Sequence, residues 1–318
     1  MRTFSLIITV FKSEANIPPL MEALRDFAKE NRDYFHLECV FVVDGSPDRS
    51  AEILNREITN NSFSSQLVVL SRNFGAPLAL RTGLSMAKGD YFCSIATDLQ
   101  EPFETVLDAF RIVASDAADI CFGQRVDRED PPATKASSTI FWTLYRKFVE
   151  SNIPKGGVDL FVCNDLVRRS VLQCKERTSF FVGLLFWVGF RRSFIPYSRK
   201  KREIGKSSWS FAKRLTYLMD SVFNFSDRPI KMLTIIGGIG ITLAICMLGL
   251  TVYSRITGLI QLPGYSATVS LILFFGGLNS FGLGIVGEYV WRTFENTKNR
   301  PLTVISEHKN ASRIPTKL

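Results

Sequence analysis

The chain has 318 residues, 46% of them apolar and 22% charged, with a formal net charge of +9. That length and apolar content exclude a disordered tail or linker and suffice for about two domains with a buried core. The charge is uneven: residues 191–231 hold eleven Lys/Arg against three Asp/Glu, directly before two runs, 232–254 and 256–287, that contain no Asp, Glu, Lys, Arg or His.

In chain order, β-rich and helical stretches alternate. Strands are expected over 5–11, 39–43, 66–70 and 91–96, and helices over 16–31, 50–57 and 77–88. Such alternation predicts a parallel α/β sheet. Ligands in these sheets sit at the carboxyl ends of the strands, so the loops 44–48, 71–75 and 97–102 are expected to converge. Beyond residue 125 the pattern is less regular: a basic, proline-containing segment over 125–135, then a helical run over 140–150, expected to complete an acceptor side. The apolar N-terminal run is stopped by Lys12, Ser13 and Glu14, too short for a cleaved export signal. Six scattered cysteines without a CxxC pair and only two histidines, His36 and His308, speak against a zinc site or a disulfide framework.

Three loops carry candidate chemistry. Asp44-Gly45-Ser46-Pro47-Asp48 follows an apolar strand, where a carboxylate can accept from a base imide or a ribose hydroxyl; an ordinary Asp-Gly turn is the plain alternative. Asp98 and Gln100, two residues apart after 91–96, offer hard oxygens to Mg²⁺ or Mn²⁺, with diphosphate and water completing the shell; Asp98 as a helix N-cap is the other reading. Arg72 and Asn73 suit sugar hydroxyls or phosphate, or else a backbone turn.

The two uncharged runs, about 232–254 and 265–288, each exceed the roughly 20 residues needed to cross a bilayer. A basic block before the first span places that side in the cytoplasm, and two spans return the chain there. Residues 209–225 set Phe211, Leu215, Leu218, Met219 and Val222 near helical spacing beside Lys213 and Arg214, as in an interfacial helix on an anionic leaflet. Glycines within both spans suit close helix contact. The expected divisions are a cytoplasmic domain 1–208, juxtamembrane helices 209–229, two transmembrane helices within 230–295, and a cytoplasmic tail 296–318.

The order of these loops, together with Gly156-Gly157-Val158-Asp159 and the later Arg202-Glu203-Ile204-Gly205-Lys206-Ser207, resembles the family 2 glycosyltransferases over about residues 4–295, and among them the polyprenyl-phosphate glycosyltransferases. The resemblance implies a GT-A, Rossmann-like α/β domain that binds a nucleotide sugar and transfers one sugar to a membrane lipid phosphate. By motif it assigns Thr9, Phe11, Glu14, Asp44, Arg72, Asn73 and Asp98 to the nucleotide sugar and Asp98 and Gln100 to the metal. Asp159 falls on the proposed catalytic base, and Arg125, Arg128, Lys135, Arg202 and Lys206 fall where basic groups hold the acceptor phosphate. Arg199, Lys200 and Lys201 are read as general surface charges.

This chain departs from the family pattern at Val43, at Thr9-Val10-Phe11-Lys12-Ser13, and at Ala96, which stands where the first aspartate of Asp-x-Asp is usual. The expected activity is inverting transfer of glucose from UDP-glucose to polyprenyl phosphate (undecaprenyl phosphate in bacteria) for cell-envelope or lipopolysaccharide modification. Mannose, N-acetylhexosamine and modified arabinose are alternative sugars. A processive polysaccharide synthase and a catalytically silent membrane scaffold are the readings of other classes. The expected setting is the inner (plasma) membrane as a multi-pass protein, with a homo-oligomer, for which the resemblance favours a tetramer, and a separate flippase as partners. Nucleic acid is not expected, since the basic charge adjoins an apolar span without a reader motif.

Overall fold

Phe4, Leu6, Ile7, Ile8 and Val10 are all fully buried, so both faces of β1 (Arg2–Val10) are covered. A strand apolar on both faces belongs in the middle of a sheet with helices on either side. β1 lies between β2 (Phe35–Val43) and β4 (Tyr91–Ala96), parallel to both, and β3 (Ser64–Leu70) continues in parallel outside β2. The connections are helical: α1 (Ile17–Glu30), α2 (Ser50–Glu57), α3 (Ala76–Met86) and, after β4, α4 (Phe103–Ala114). α1 starts with proline in its first turn, where the missing N–H costs nothing, and buries Ile17, Leu20, Met21, Leu24 and Phe27 at helical spacing. An aromatic cluster fills the space beneath: the Phe4 ring is 5.3 Å from Phe35 and 4.7 Å from Phe110.

The structure, a computed structural model, describes residues 1–126, 143, 146, 153–154, 158–176, 181–199, 228–257 and 264–311. They belong to two units, Met1–Ser221 with Arg300–Leu318, and Val222–Asn299. The first unit adds β5 (Ile120–Arg125), β6 (Val158–Asn164), α5 (Asp165–Gln173), α6 (Phe181–Trp187), β7 (Arg192–Tyr197) and β8 (Ile305–Ala311). The sheet order is β7-β5-β6-β4-β1-β2-β3-β8. The expected all-parallel sheet is corrected here to a mixed one, because β6 is antiparallel to β4 and β5, and β8 is antiparallel to β3. The regular strand–helix alternation that predicts parallel pairing ends near residue 125, before β6 and β8. A strand inside 296–318, read above as a tail, is the second difference.

Behind the sheet, at the amino ends of β5 and β7, Arg191 grips Asp119. Its Nε and Nη2 each donate to a different carboxylate oxygen at 3.0 Å, and its amide donates at 3.1 Å. Asn164, at the end of β6, donates to the same group at 3.1 Å. These donors, the Arg191 side chain foremost, hold the Asp119 carboxyl below the usual carboxylate range despite its burial. A depressed folded pKa contributes stability above the unfolded value of about 3.9 that is lost as pH falls through the folded one. Thermal melts of Asp119→Asn should therefore fall well below the parent at pH 7 and approach it below about pH 4. A gap of the same size at every pH would show that the charge contributes nothing.

The second unit contains α7 (Arg228–Ile256) and α8 (Tyr265–Thr297). Both helices lie where the uncharged runs predict them, with α8 extending nine residues beyond 288. A Cβ placed on Gly282 of α8 would come within 3.0 Å of Leu233 of α7, so glycine allows close contact there. Among the described residues, no helix is long and apolar enough to cross a membrane. The expected interfacial helix over 209–225, most of the helical run over 140–150, and Arg128, Lys135, Arg202 and Lys206 lie outside the described residues.

Candidate active site

β1, β2, β3, β4, β5 and β7 run in one direction, so their carboxyl ends share one edge of the sheet. β6 and β8 run the other way and begin at that edge. The topology therefore brings to one edge Phe11–Glu14, Asp44–Asp48, Arg72–Asn73, Thr97–Glu101, Arg125 and, on the second residue of β6, Asp159. Residues from the first and the fifth strand, far apart in sequence, thus share one edge of the sheet. The switch in strand order, where β1 leads outward to β2 while β4 lies on its other flank, marks the usual ligand position in such sheets.

Hydrogen bonds knit four of these loops together. Asp44 is only 3% exposed, and its carboxylate accepts from the amides of Phe74 at 2.7 Å and Gly75 at 2.9 Å. Asn73 Nδ2 donates to the Asp44 carbonyl at 3.1 Å. Burial pushes the Asp44 carboxyl up, and the two amides with the Arg72 guanidinium offset only part of the rise. Gly45 takes φ +56°, a left-handed conformation, and passes directly against the backbone of Arg72 and Asn73. Asp44-Gly45 is thus more than a local turn: it fastens the loop after β3. Arg72 stacks its guanidinium 4.2 Å from the Phe74 ring centre, which fixes the direction of that cation.

The β1 loop is tied to the β2 loop in turn. The Lys12 amide donates to Ser46 Oγ at 2.8 Å, and Ser46 donates to Asp48 at 2.6 Å. Asp48 also accepts from the Glu14 amide at 3.2 Å, while the Glu14 carboxylate accepts from the Arg49 amide at 3.0 Å at the start of α2. Burial pushes the Asp48 carboxyl up, but the Ser46 and Ser50 hydroxyls with the Glu14 and Ser50 amides outweigh it and hold it low. Thr97 Oγ1 donates to Ser13 Oγ at 3.1 Å and brings in the β4 loop. Thr9, the last but one residue of β1, lies beside Val42 and Ala96, half-buried, and Phe11 is 38% exposed just after the strand.

In the β4 loop the N-cap of α4 is Pro102, so the capping role considered for Asp98 does not occur. Asp98 instead accepts from the Gln100 amide at 3.4 Å, around Leu99 at φ +53°. That left-handed leucine brings Asp98 and Gln100 back to back in a tight turn, both half-buried. Two hard oxygen donors of this kind fit Mg²⁺ or Mn²⁺ shared with a substrate diphosphate rather than a closed protein cage. Among the described residues, no group of three or more His, Cys, Asp or Glu suited to a metal is found.

Two residues at this edge escaped the sequence reading. Glu101, 9% exposed, accepts from the Ala96 amide at 3.3 Å at the end of β4. Arg199 follows β7, lies half-buried, and pairs with Glu101 at 3.7 Å. It is no general surface charge, which corrects the expectation. Only the sheet order β7-β5-β6-β4 could have shown that residues 98 apart in sequence meet here.

The family model "Glycosyl transferase family 2" matches residues 5–174, the stretch that carries β1 to α5 and every loop just described up to Asp159. An uncharacterized glycosyltransferase of Synechocystis sp. is 31% identical over 95% of this chain and 94% of its own length. A prophage bactoprenol glucosyl transferase homolog of Escherichia coli (strain K12) is 30% identical over 96% of this chain and 99% of its own. Among solved structures, glucosyl-3-phosphoglycerate synthase from Mycobacterium tuberculosis, in complex with Mn²⁺, uridine-diphosphate-glucose and phosphoglyceric acid, covers 70% of this chain and 78% of its own at TM-score 0.48 and 13% identity, a likeness too loose to carry function. With over half its length matched by the family model and relatives aligned nearly end to end, the chain belongs to glycosyl transferase family 2 and is a glycosyltransferase.

Proposed function

We propose that the chain transfers one glucose from UDP-glucose to a polyprenyl phosphate at the cytoplasmic face of the membrane, with inversion at the anomeric carbon. The observation that carries this reading is the end-to-end similarity to relatives named bactoprenol glucosyl transferases, which extends past the catalytic unit through both hydrophobic helices. Membrane anchoring by α7 and α8 is part of the proposal. It rests on their complete sequences, which hold no acid, lysine, arginine or histidine over 232–254 and 265–287, and not on the described side chains alone. The basic block over 191–231 then faces anionic headgroups.

In this reading a lipid phosphate oxygen forms a bond to the anomeric carbon as the bond from that carbon to the donor diphosphate breaks, and the nucleoside diphosphate leaves. Asp44 fastens the loop of Arg72 and Asn73 against the donor, with Thr9, Phe11 and Glu14 at the base end. Asp98 and Gln100 would hold a divalent cation, which supplies charge neutralisation to the leaving diphosphate. Arg125, Arg128, Lys135, Arg202 and Lys206 are assigned to the acceptor phosphate. A phosphate monoester is largely dianionic at neutral pH, its second pKa being about 6, so Asp159 has more to do in orienting the acceptor than in deprotonating it.

Purified full-length protein incubated with UDP-glucose, Mg²⁺ and a short-chain polyprenyl phosphate should yield a lipid carrying a single glucose and one UDP per lipid. Polymer would point to a processive synthase instead. Absence of any product across UDP- and GDP-sugars would leave a silent scaffold.

A further inference from the structure

We infer that the segment Thr303–Val304, which follows the second hydrophobic helix, is a positioning element for the donor loop. This rests on the proposed function in one respect, that the loop 71–75 contacts the nucleotide sugar. The geometry brackets that loop on both sides. The Val304 carbonyl accepts from the Ser71 amide at 2.9 Å, at the point where the chain leaves β3. Thr303 Oγ1 lies 2.7 Å from Thr82 Oγ1 on α3, the helix that begins at the other end of the loop. Thr82 donates its proton to the Leu78 carbonyl at 3.0 Å, so Thr303 must be the donor of the pair. Thr82 is 7% exposed and keeps its bond to Leu78 in any case, so what the Thr303 hydroxyl adds is a second bond in a buried place, one that ties residue 303 to α3.

β8 supplies the footing for this contact. It pairs with β3 from Ser65↔Ala311 to Leu70↔Ile305, with a register shift opposite Val69 and Leu70 at which Ser306 of β8 is the extra residue. Ser306 donates to the Val69 carbonyl at 3.0 Å beside the shift. Deeper in, His308 Nε2 meets Gln66 Oε1 at 3.1 Å, and Gln66 Nε2 donates to buried Glu38 at 2.8 Å, which anchors the strand to the sheet interior. Asp44 holds Phe74 and Gly75 from one flank while residues 303 and 304 hold Ser71 and α3 from the other. Loop 71–75, with Arg72 and Asn73 on it, has little freedom left.

The test uses the full-length protein with Thr303→Val, Thr303→Ser and Thr82→Val. Thr303→Val should raise KM for the nucleotide sugar about fivefold with kcat nearly unchanged, and should speed amide exchange across 71–75. Thr303→Ser should restore both readings, and Thr303→Val combined with Thr82→Val should be no worse than Thr303→Val alone. Unchanged exchange over 71–75 in Thr303→Val overturns the positioning role whatever the ligand is. Faster exchange in a protein whose parent form binds no UDP- or GDP-sugar overturns the proposed function, and the donor part of this inference with it.

Discussion

Asp98→Ala is expected to lower kcat for sugar transfer by about a hundredfold or more, the usual cost of losing electrostatic stabilisation of the transition state, because it removes a proposed ligand of the cation that would neutralise the leaving diphosphate. Leu99 at φ +53° folds the chain so that Asp98 and Gln100 share one turn at the carboxyl end of β4. Ala96 contributes no carboxylate, and Glu101 is turned onto the Ala96 amide and Arg199. In the proposed function, Asp98 is therefore the carboxylate of this loop that would hold the metal for the donor diphosphate. Asp98→Asn separates charge from shape, because an amide oxygen can still accept from Gln100. Both variants should lose kcat to a similar degree as folded proteins, with thermal melts of the same preparations as the check on folding. An active Asp98→Asn variant would reduce Asp98 to a turn residue.

Gly45→Ala is the second large effect. A Cβ at this position would stand 2.1 Å from the Arg72 carbonyl carbon and 2.3 Å from the Asn73 nitrogen, both backbone atoms that cannot rotate aside. The φ of +56° adds strain for any L side chain. Relief requires the loop after β3 to move, which breaks the Asp44 bonds to Phe74 and Gly75 and the Asn73 bond to the Asp44 carbonyl. We expect a loss of about 2–4 kcal/mol in unfolding free energy and a rise in nucleotide-sugar KM of more than about tenfold. Thermal unfolding and steady-state kinetics on the same preparation check both. Unaltered KM in a folded variant would detach this contact from donor binding.

Much of this architecture was legible because burial writes a pattern. The strand over 91–96 is found with the same ends, and the helix expected over 16–31 appears as Ile17–Glu30, since both alternate or repeat apolar residues at the period of their structure. The loops 44–48, 71–75 and 97–102 converge as expected, because parallel strands force their carboxyl ends together. β8 left no such mark. Ile305–Ala311 is a polar edge strand, six of its seven residues exposed, held by backbone bonds to β3 that no hydropathy pattern reports. Nor does sequence reveal that Arg199 reaches Glu101 or that Arg191 grips Asp119, since both pairings depend on where β7 is placed in the sheet. For Asp44 the motif gave the position and the structure gave the first physical task, holding two amides of the neighbouring loop.

The central claim is that the carboxyl edge of the sheet is the donor site. Hydrogen exchange of the full-length protein with and without UDP-glucose and Mg²⁺ addresses it most directly. New protection is expected at residues 11–14, 44–48, 71–75 and 97–101 and nowhere else. Protection at the opposite edge around Asp119 and Arg191, with those loops unaffected, would contradict it.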